Sequence, residues 1–313
     1  ICTIDACHEA LESAAVALTK KKSWIEGWLA FRAALRFDGK AMRSDVRVRL
    51  ETIIQRLKPS DLLNQARAVV LSGANSGWDI VDGDPDDDDL SKPWQKASLM
   101  AQEVGRLLTQ DSETRKQFLL ELIPASNQQR AFECGVGLAE GAVDLLEMWR
   151  EIITEFSKVD PNKRNVTVLG GYIYQANERD ATITSSVLKS AIDDPDLAPS
   201  LPYLQARVGI DKAGINRLRR AIGKGVLRAV DFNSIANGAV GDSPPEELSA
   251  LLLDIAQLSD GVEIALDILH MHFFRDREAG QQWDHLLIET GRNLLRRTDF
   301  SKKGQLRDYG MHT

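Results

Sequence analysis

The sequence predicts an all-α chain, an α-solenoid of stacked antiparallel helix pairs with no significant sheet. Three observations predict it. Ala and Leu dominate the apolar residues and aromatics make up only 6% of 313 residues, a balance suited to helix packing rather than to β-sandwiches, which draw on Val, Ile, Thr and aromatics. Apolar residues recur at helical spacing, and no strand-like alternation of any length appears. Helix starts recur at a near-constant step. The first members of successive pairs fall near residues 93, 127, 161, 211, 243 and 278, and the steps, roughly 34, 34, 50, 32 and 35, lie in the range of helical-repeat arrays.

The elements follow in order. Trp24, Ile25, Trp28, Leu29 and Leu35 mark a first amphipathic helix. Ser44 opens a second, with Val46, Leu50, Ile53, Ile54 and Leu57 at helical spacing. Ser60, after Pro59, opens a third through Leu62, Leu63, Ala66 and Val70, and Gly73 stops it. Residues 73–92 then break the pattern with Gly73, Gly77, Gly83, Pro85 and seven Asp within residues 79–89; this composition reads as a long surface loop.

Beyond the loop, Ser91 with Pro93 begins a helix containing Trp94, Ala97, Ala101, Val104 and Leu108. Asp111 and Asn127 begin the next two, and Trp149, Ile152, Ile153 and Phe156 line a fourth. Asp160 followed by Pro161 has the favoured order of N-cap and first-position proline. Asp180 and Asp211 are further N-caps. Pro195, Pro199 and Pro202 fit an inserted short helix and a bend, which accounts for the long step. Ser243-Pro244-Pro245-Glu246 reads as a capping box, and the last helices are expected near residues 260–274 and 278–297. The chain therefore divides into an N-terminal helical subdomain (1–72), an acidic surface loop (73–92), a helical-repeat array (93–297) and a polar C-terminal tail (298–313). A helical pattern begins almost at once after Ile1, as in a piece of a larger protein.

The run Asp160-Pro161-Asn162-Lys163-Arg164-Asn165-Val166, continuing to Leu169, looks like the turn into the inner helix of a HEAT repeat. On this basis residues 93–297 resemble HEAT or armadillo-type α-solenoids. The tetratricopeptide pattern cannot be laid on these units, although its spacing would suit them. The resemblance implies a curved scaffold that presents a concave surface to a partner. Similar arrays serve as recognition parts of large bacterial NTPases and defence proteins.

Composition narrows the function classes. The net charge is −7, from 46 acids and 39 bases, and the seven clustered Asp account for the whole excess. A global basic field for nucleic acid is absent. Cys2, Cys7 and Cys134 do not form a disulfide framework, and Cys134 lies in an apolar stretch as a small buried hydrophobe. A reducing compartment and a cytoplasmic location are expected. No apolar run approaches the ~20 residues of a membrane span, and no signal peptide is visible.

The chemical motifs each fall short. Gly135-Val136-Gly137-Leu138-Ala139-Glu140-Gly141 imitates a dinucleotide loop, but its third glycine comes one residue late and it follows no strand. Close helix packing accounts better for it, and for Gly170-Gly171. Gly223-Lys224-Gly225 lacks the hydroxyl residue of a P-loop. Asp82, Asp84 and Asp86 alternate like the start of an EF-hand, yet Asp87 and Pro93 stand where Gly and Glu are needed. A solvated acidic loop is the expectation, with weak divalent-ion binding as the alternative. Asp86-Asp87 is followed by Leu90 where a diphosphate-binding helix would need Asp. His270 and His272 are two apart and point to different sides of a helix; His285 and Asp276 would have to approach them to hold a metal. Gly73-Ala74-Asn75-Ser76-Gly77 is no nucleophile elbow. Trp24, Trp28, Trp94 and Trp149 fall on apolar faces and are expected in the core. Tyr172 and Tyr174 flank Ile173, so one of them is expected to be exposed.

Arg217, Arg220, Lys224 and Arg228 stand out. At relative positions 0, 3, 7 and 11 they share one stripe of about 60° on an ideal helix. Ile215, Leu218, Ile222, Val226 and Ala229 form the apolar face, and no acid lies within residues 215–230. The stripe is the candidate partner-binding site, for an acidic protein surface or phosphates. The alternatives are a solvated face, or cover by acids of an adjacent repeat. The expected function is a non-catalytic scaffold or recognition module for a macromolecular partner, without cofactor, metal or catalytic residues. A nucleic-acid-binding solenoid of the HEAT-like DNA glycosylase type is the second reading.

Overall fold

The computed structural model describes residues 9–10, 12–14, 16–17, 24–72, 80–81, 91–126, 130–236, 240, 243–278, 280 and 282–298. Among the described residues every regular element is helical and there is no strand. The all-α expectation holds. The chain gathers into two compact units, Ile1–Gln175 and Ala176–Thr313. The acidic cluster of residues 79–90 lies outside the described residues apart from Ile80 and Val81, as does the predicted helix start at Asn127.

In the first unit, α1 (Ile25–Asp38) packs on α2 (Ser44–Leu57). Trp28 and Phe31 of α1 meet Leu50, Ile53, Ile54 and Leu57 of α2, with Ala68 beside them. The helix α3 (Leu62–Ala66) is capped by the Asp61 carboxylate, which accepts the Asn64 N–H at 3.0 Å. It passes directly into a π-helical turn, Arg67–Leu71, whose Ala68, Val69 and Val70 are buried. Then come α4 (Ser91–Leu108), α5 (Ser112–Leu122), α6 (Ala131–Gly141), α7 (Leu145–Ser157) and α8 (Thr167–Arg179), whose last four residues belong to the second unit. Asp111 caps α5 by accepting the Thr114 N–H, and Asp144 caps α7 by accepting the Leu146 and Glu147 N–H groups.

The sequence period reappears here as a contact register. Ser98 of α4 donates to Glu133 of α6 across 35 residues. One turn on, a side chain at Gly137 of α6 would strike the Gln102 carbonyl oxygen of α4, and Gln102 also donates to Glu140. The two helices therefore run parallel. Arg115 of α5 pairs with Glu151 of α7, 36 residues on. Helices whose contacting residues lie about 35 positions apart thus pack on each other within this unit.

The same offset holds within the second unit. It comprises α9 (Ala181–Ser190), α10 (Leu201–Ala206), α11 (Lys212–Gly223), α12 (Pro245–Ile255), α13 (Gly261–Glu278) and α14 (His285–Arg297). Lys212 of α11 pairs with Glu247 of α12. Two turns on, Arg219 pairs with Asp254 at 2.6 Å, again across 35 residues. The helix α12 also packs on α13 and α14, where the Ser249 and Thr290 hydroxyls share a buried hydrogen bond of 2.7 Å.

Several predicted starts move. Asp160-Pro161 opens only a 3₁₀ turn, Pro161–Lys163; the following helix starts at Thr167, whose N–H is accepted by the Asn165 side chain. Ser243 is no cap: its hydroxyl donates to the Ile210 carbonyl at 2.5 Å, a tie to the residue just before the Asp211 cap, and α12 begins at Pro245 without a side-chain cap. The break expected before residue 278 falls after it, and Asp284 caps α14. Trp28 and Trp149 are buried as expected, but Trp94 is 44% exposed, its ring lying under the Arg130 guanidinium. Tyr172 is buried and donates to the Leu145 carbonyl at 2.6 Å, while Tyr174 is exposed.

Candidate functional site

The basic residues belong to α11 and the turn after it. Asp211 caps this helix by accepting the Gly214 N–H at 2.7 Å, and Ile215, Leu218 and Ala221 turn its apolar face inward. The helix ends at Gly223. Gly225 takes a φ of +70°, a left-handed conformation that glycine adopts without steric cost, and it redirects the chain. Arg228 is consequently extended, with φ −103° and ψ 158°, ahead of the 3₁₀ turn Ala229–Ser234. The stripe predicted for one continuous helix is therefore corrected: Arg217 and Arg220 lie on α11, Lys224 is the residue just past its end, and Arg228 is off the helix.

Each of the four has partners within its own unit. Arg217 is half-buried; its Nε donates to Gln205 Oε1 at 2.8 Å and its Nη1 to Ser185 Oγ at 3.2 Å. Burial lowers its affinity for the proton from the usual arginine value. Arg220 and Lys224 share one carboxylate, Asp193, which lies 3.7 Å from the Arg220 guanidinium. Arg228 pairs with Asp231 at 2.9 Å, and this side-chain hydrogen bond raises the guanidinium pKa. Asp231 lies one residue past the acid-free interval, and Asp193 comes from the connection after α9. Three exposed cations thus face two carboxylates.

The remaining motifs find structural roles. The glycines of α6 are packing surfaces: a Cβ on Gly135 would lie 2.1 Å from the Val168 carbonyl oxygen of α8, and one on Gly171 would lie 1.8 Å from that of Phe132. Cys134, beside Gly135, is buried, and desolvation pushes its thiol up to about 12. On α13, His272 is buried and His270 exposed, while His285 is exposed at the start of α14. Among the described residues no three His, Cys, Asp or Glu side chains gather as a metal-binding group.

Two recesses mark the first unit. One is polar, about 530 Å³, between the ends of α4 and α6 and the start of α7. Its groups hold neighbouring helices: buried Arg115 donates to the Leu108 and Thr109 carbonyls at 2.9 and 3.1 Å and pairs with Glu151, and Asp144 caps α7.

The other recess is an apolar cavity of about 480 Å³. Trp28 of α1, Ala68 and Val69 of the π turn, Ile80, and Leu99, Met100, Val104 and Leu107 of α4 line it, with Lys58, Pro59, Gln65 and Glu103. The Arg32 guanidinium lies 5.0 Å from the centre of the Trp28 ring and donates to the carbonyl of Val81, next to Ile80, at 2.8 Å. Trp28 is 4% exposed, yet its indole Nε1–H has no acceptor among the described residues. Such an orphaned buried donor ordinarily costs about 1–3 kcal/mol. Leu99, by contrast, is 63% exposed beside the cavity. Sequence reasoning missed this site: its signal was a tryptophan on an apolar face, which core packing equally explains.

No family model, curated protein or solved structure matches this chain.

Proposed function

We propose that this chain is a non-catalytic helical-repeat module of the HEAT-like solenoid kind that binds a macromolecular partner. One observation carries the reading: helices about 35 residues apart stack in register, in α4 on α6, α5 on α7 and α11 on α12. Such stacking repeats equivalent surface positions from one helix pair to the next and so builds extended recognition faces. The polar groups bridging the stacks, among them Arg115–Glu151 and Arg219–Asp254, hold neighbouring helices rather than converging on a reaction centre.

The test is reconstitution. A polypeptide retained by the immobilised chain, competed off by free chain and rebuilt as a stoichiometric complex from purified components, supports the proposal. Turnover of ester, phosphodiester or glycoside substrates by the purified chain would overturn it.

Arg217 and Arg220 on α11, with Lys224 just past its end, favour a second reading, an anionic partner such as nucleic acid, to which Arg228, ahead of the following 3₁₀ turn, adds a further cation. Binding would require the ligand to displace Asp193 and Asp231 from their cations. This reading requires DNA or RNA affinity that falls steeply with salt. It also requires the affinity to fall in Arg220→Ser with Lys224→Ser while the melting temperature holds.

A further inference from the structure

We infer that Arg217, with Ser185 and the neighbouring Arg220, forms a discrete site for a single phosphate group, held by the outer edge of the Arg217 guanidinium. The inference is separate from the nucleic-acid reading, which requires a polymer and rests on the exposed cations.

The site is built from the inside outward. Gln205 is fully buried, and its Nε2 donates to the Gly209 carbonyl at 2.8 Å. That bond fixes the amide so that Oε1 accepts from Arg217 Nε at 2.8 Å. Gly214 makes room for it, since a Cβ there would lie 2.8 Å from Gln205 Nε2. Arg217 is thus anchored by its inner nitrogen. Its Nη1 reaches outward to the hydroxyl of Ser185, an exposed residue of α9, at 3.2 Å. These two bonds leave three of the five guanidinium N–H groups for a ligand. A side chain already held in place loses less freedom on binding.

Charge then singles out this residue. Along α11 the other cations are paired: Lys212 with Glu247, Arg219 with Asp254, and Arg220 and Lys224 with Asp193. Both bonds of Arg217 go to neutral groups, and no carboxylate among the described residues pairs with it. Asp211 attracts it from the start of the helix, but Asp211 Oδ1 is taken by the Gly214 N–H. Partial burial works against the Arg217 charge, so an arriving anion meets a cation whose compensation is incomplete.

The donors select phosphate among anions. A guanidinium edge takes two oxygens side by side, from a carboxylate or a phosphate. Ser185 Oγ accepts from Arg217 and keeps its own hydrogen to donate, and Arg220 stands one turn further along the same face of α11. Donors beyond the fork suit the additional oxygens of a phosphate, which a carboxylate lacks. Asp193 holds Arg220 and Lys224 and so opposes binding.

The test uses the full chain with inorganic phosphate and acetate as probes at constant ionic strength, followed by NMR through the Arg217 Nε–H and the Ser185 amide. Phosphate should shift both saturably and bind about tenfold more tightly than acetate, the worth of one charge-assisted hydrogen bond. Arg217→Lys keeps the charge but loses the fork, and should weaken phosphate binding about tenfold. Asp193→Asn should tighten it by releasing Arg220. Ser185→Ala, at an exposed position, should weaken it about two- to fivefold at an unchanged melting temperature, and it decides the matter if Arg217→Lys fails to fold. No saturation below about 10 mM phosphate, equal affinity for acetate, or undiminished affinity in the folded variants would overturn the inference. Salt-sensitive DNA or RNA binding without saturable phosphate binding would overturn it and leave the nucleic-acid reading standing; saturable phosphate binding by a chain that binds neither polymer would support it and remove that reading.

Discussion

Gly137 of α6 lies so close to Gln102 of α4 that a Cβ built on it would sit 1.8 Å from the Gln102 carbonyl oxygen. The two helices touch backbone to backbone, and only a residue without a side chain permits that approach. Gly105 repeats the relationship from the other side, where an added Cβ would lie 2.2 Å from the Cys134 carbonyl oxygen. The first prediction follows from this contact. Alanine normally gains about 1 kcal/mol over glycine in a helix interior, but Gly137→Ala must push α4 and α6 apart. A net loss of about 2 kcal/mol or more is expected from overpacking, measured by urea unfolding. Gly223, at the end of α11, has open space around its Cβ position. Gly223→Ala should therefore be neutral or stabilising by up to about 1 kcal/mol, and a loss there would contradict the steric argument.

The basic residues of α11 should separate by burial. Arg220 is half exposed and lies 3.7 Å from Asp193, so Arg220→Ser should cost at most about 0.5 kcal/mol. Arg217→Ser removes hydrogen bonds to Gln205 and Ser185 at a half-buried site and should cost about 1–2 kcal/mol. Equal effects in chemical denaturation would show that the α11 packing is wrong. Asp193→Asn uncovers two cations at once, and binding of the chain to heparin should then strengthen at low salt.

Acid should weaken the helix starts. Hydrogen bonds from the Thr114 side chain and backbone lower the Asp111 pKa, and those from the Glu147 and Leu146 N–H groups lower that of Asp144. A carboxyl depressed in the folded state stabilises above its unfolded pKa, and that contribution is lost as pH falls through the folded one. The melting temperature should accordingly decline below about pH 4. Asp111→Asn with Asp144→Asn keeps the caps but should flatten that decline; an unchanged acid limb would rule these two caps out as its source.

Cys134 should be chemically silent. Its thiol is buried and pushed up to about 12, so the thiolate is scarce at neutral pH. In a Cys2→Ser, Cys7→Ser chain, Ellman's reagent at pH 8 should label nothing in native buffer and one thiol in denaturant. Rapid native labelling would place Cys134 outside the core.

The all-α class, and much of the order of elements, could be read directly because the information is local. Asp111, Asp180 and Asp211 cap helices where predicted, since a cap involves residues only two or three apart. The interval of about 35 residues seen between several contacting side chains matches the spacing at which apolar and capping residues recur along the chain. The glycines of α6 could be assigned to helix packing because they lacked the strand that a phosphate loop requires. Gly225, which ends the run containing the basic residues, was equally visible, but a glycine two residues from another reads as a failed P-loop as readily as a helix stop.

What the sequence by itself determined is therefore the helices, their approximate period and the apolar face of each. Only the tertiary structure decided which polar groups meet. Asp193 reaches Lys224 across 31 residues, Ser243 turns from its own helix to the Ile210 carbonyl, and the Trp28 indole N–H is buried without an acceptor among the described residues. The physical reason is geometric. Helical periodicity specifies which face is buried, but the rotation and approach of neighbouring helices depend on side chains far apart in the chain. A displacement of about an ångström or two determines whether a donor meets an acceptor, and no local pattern carries that distance.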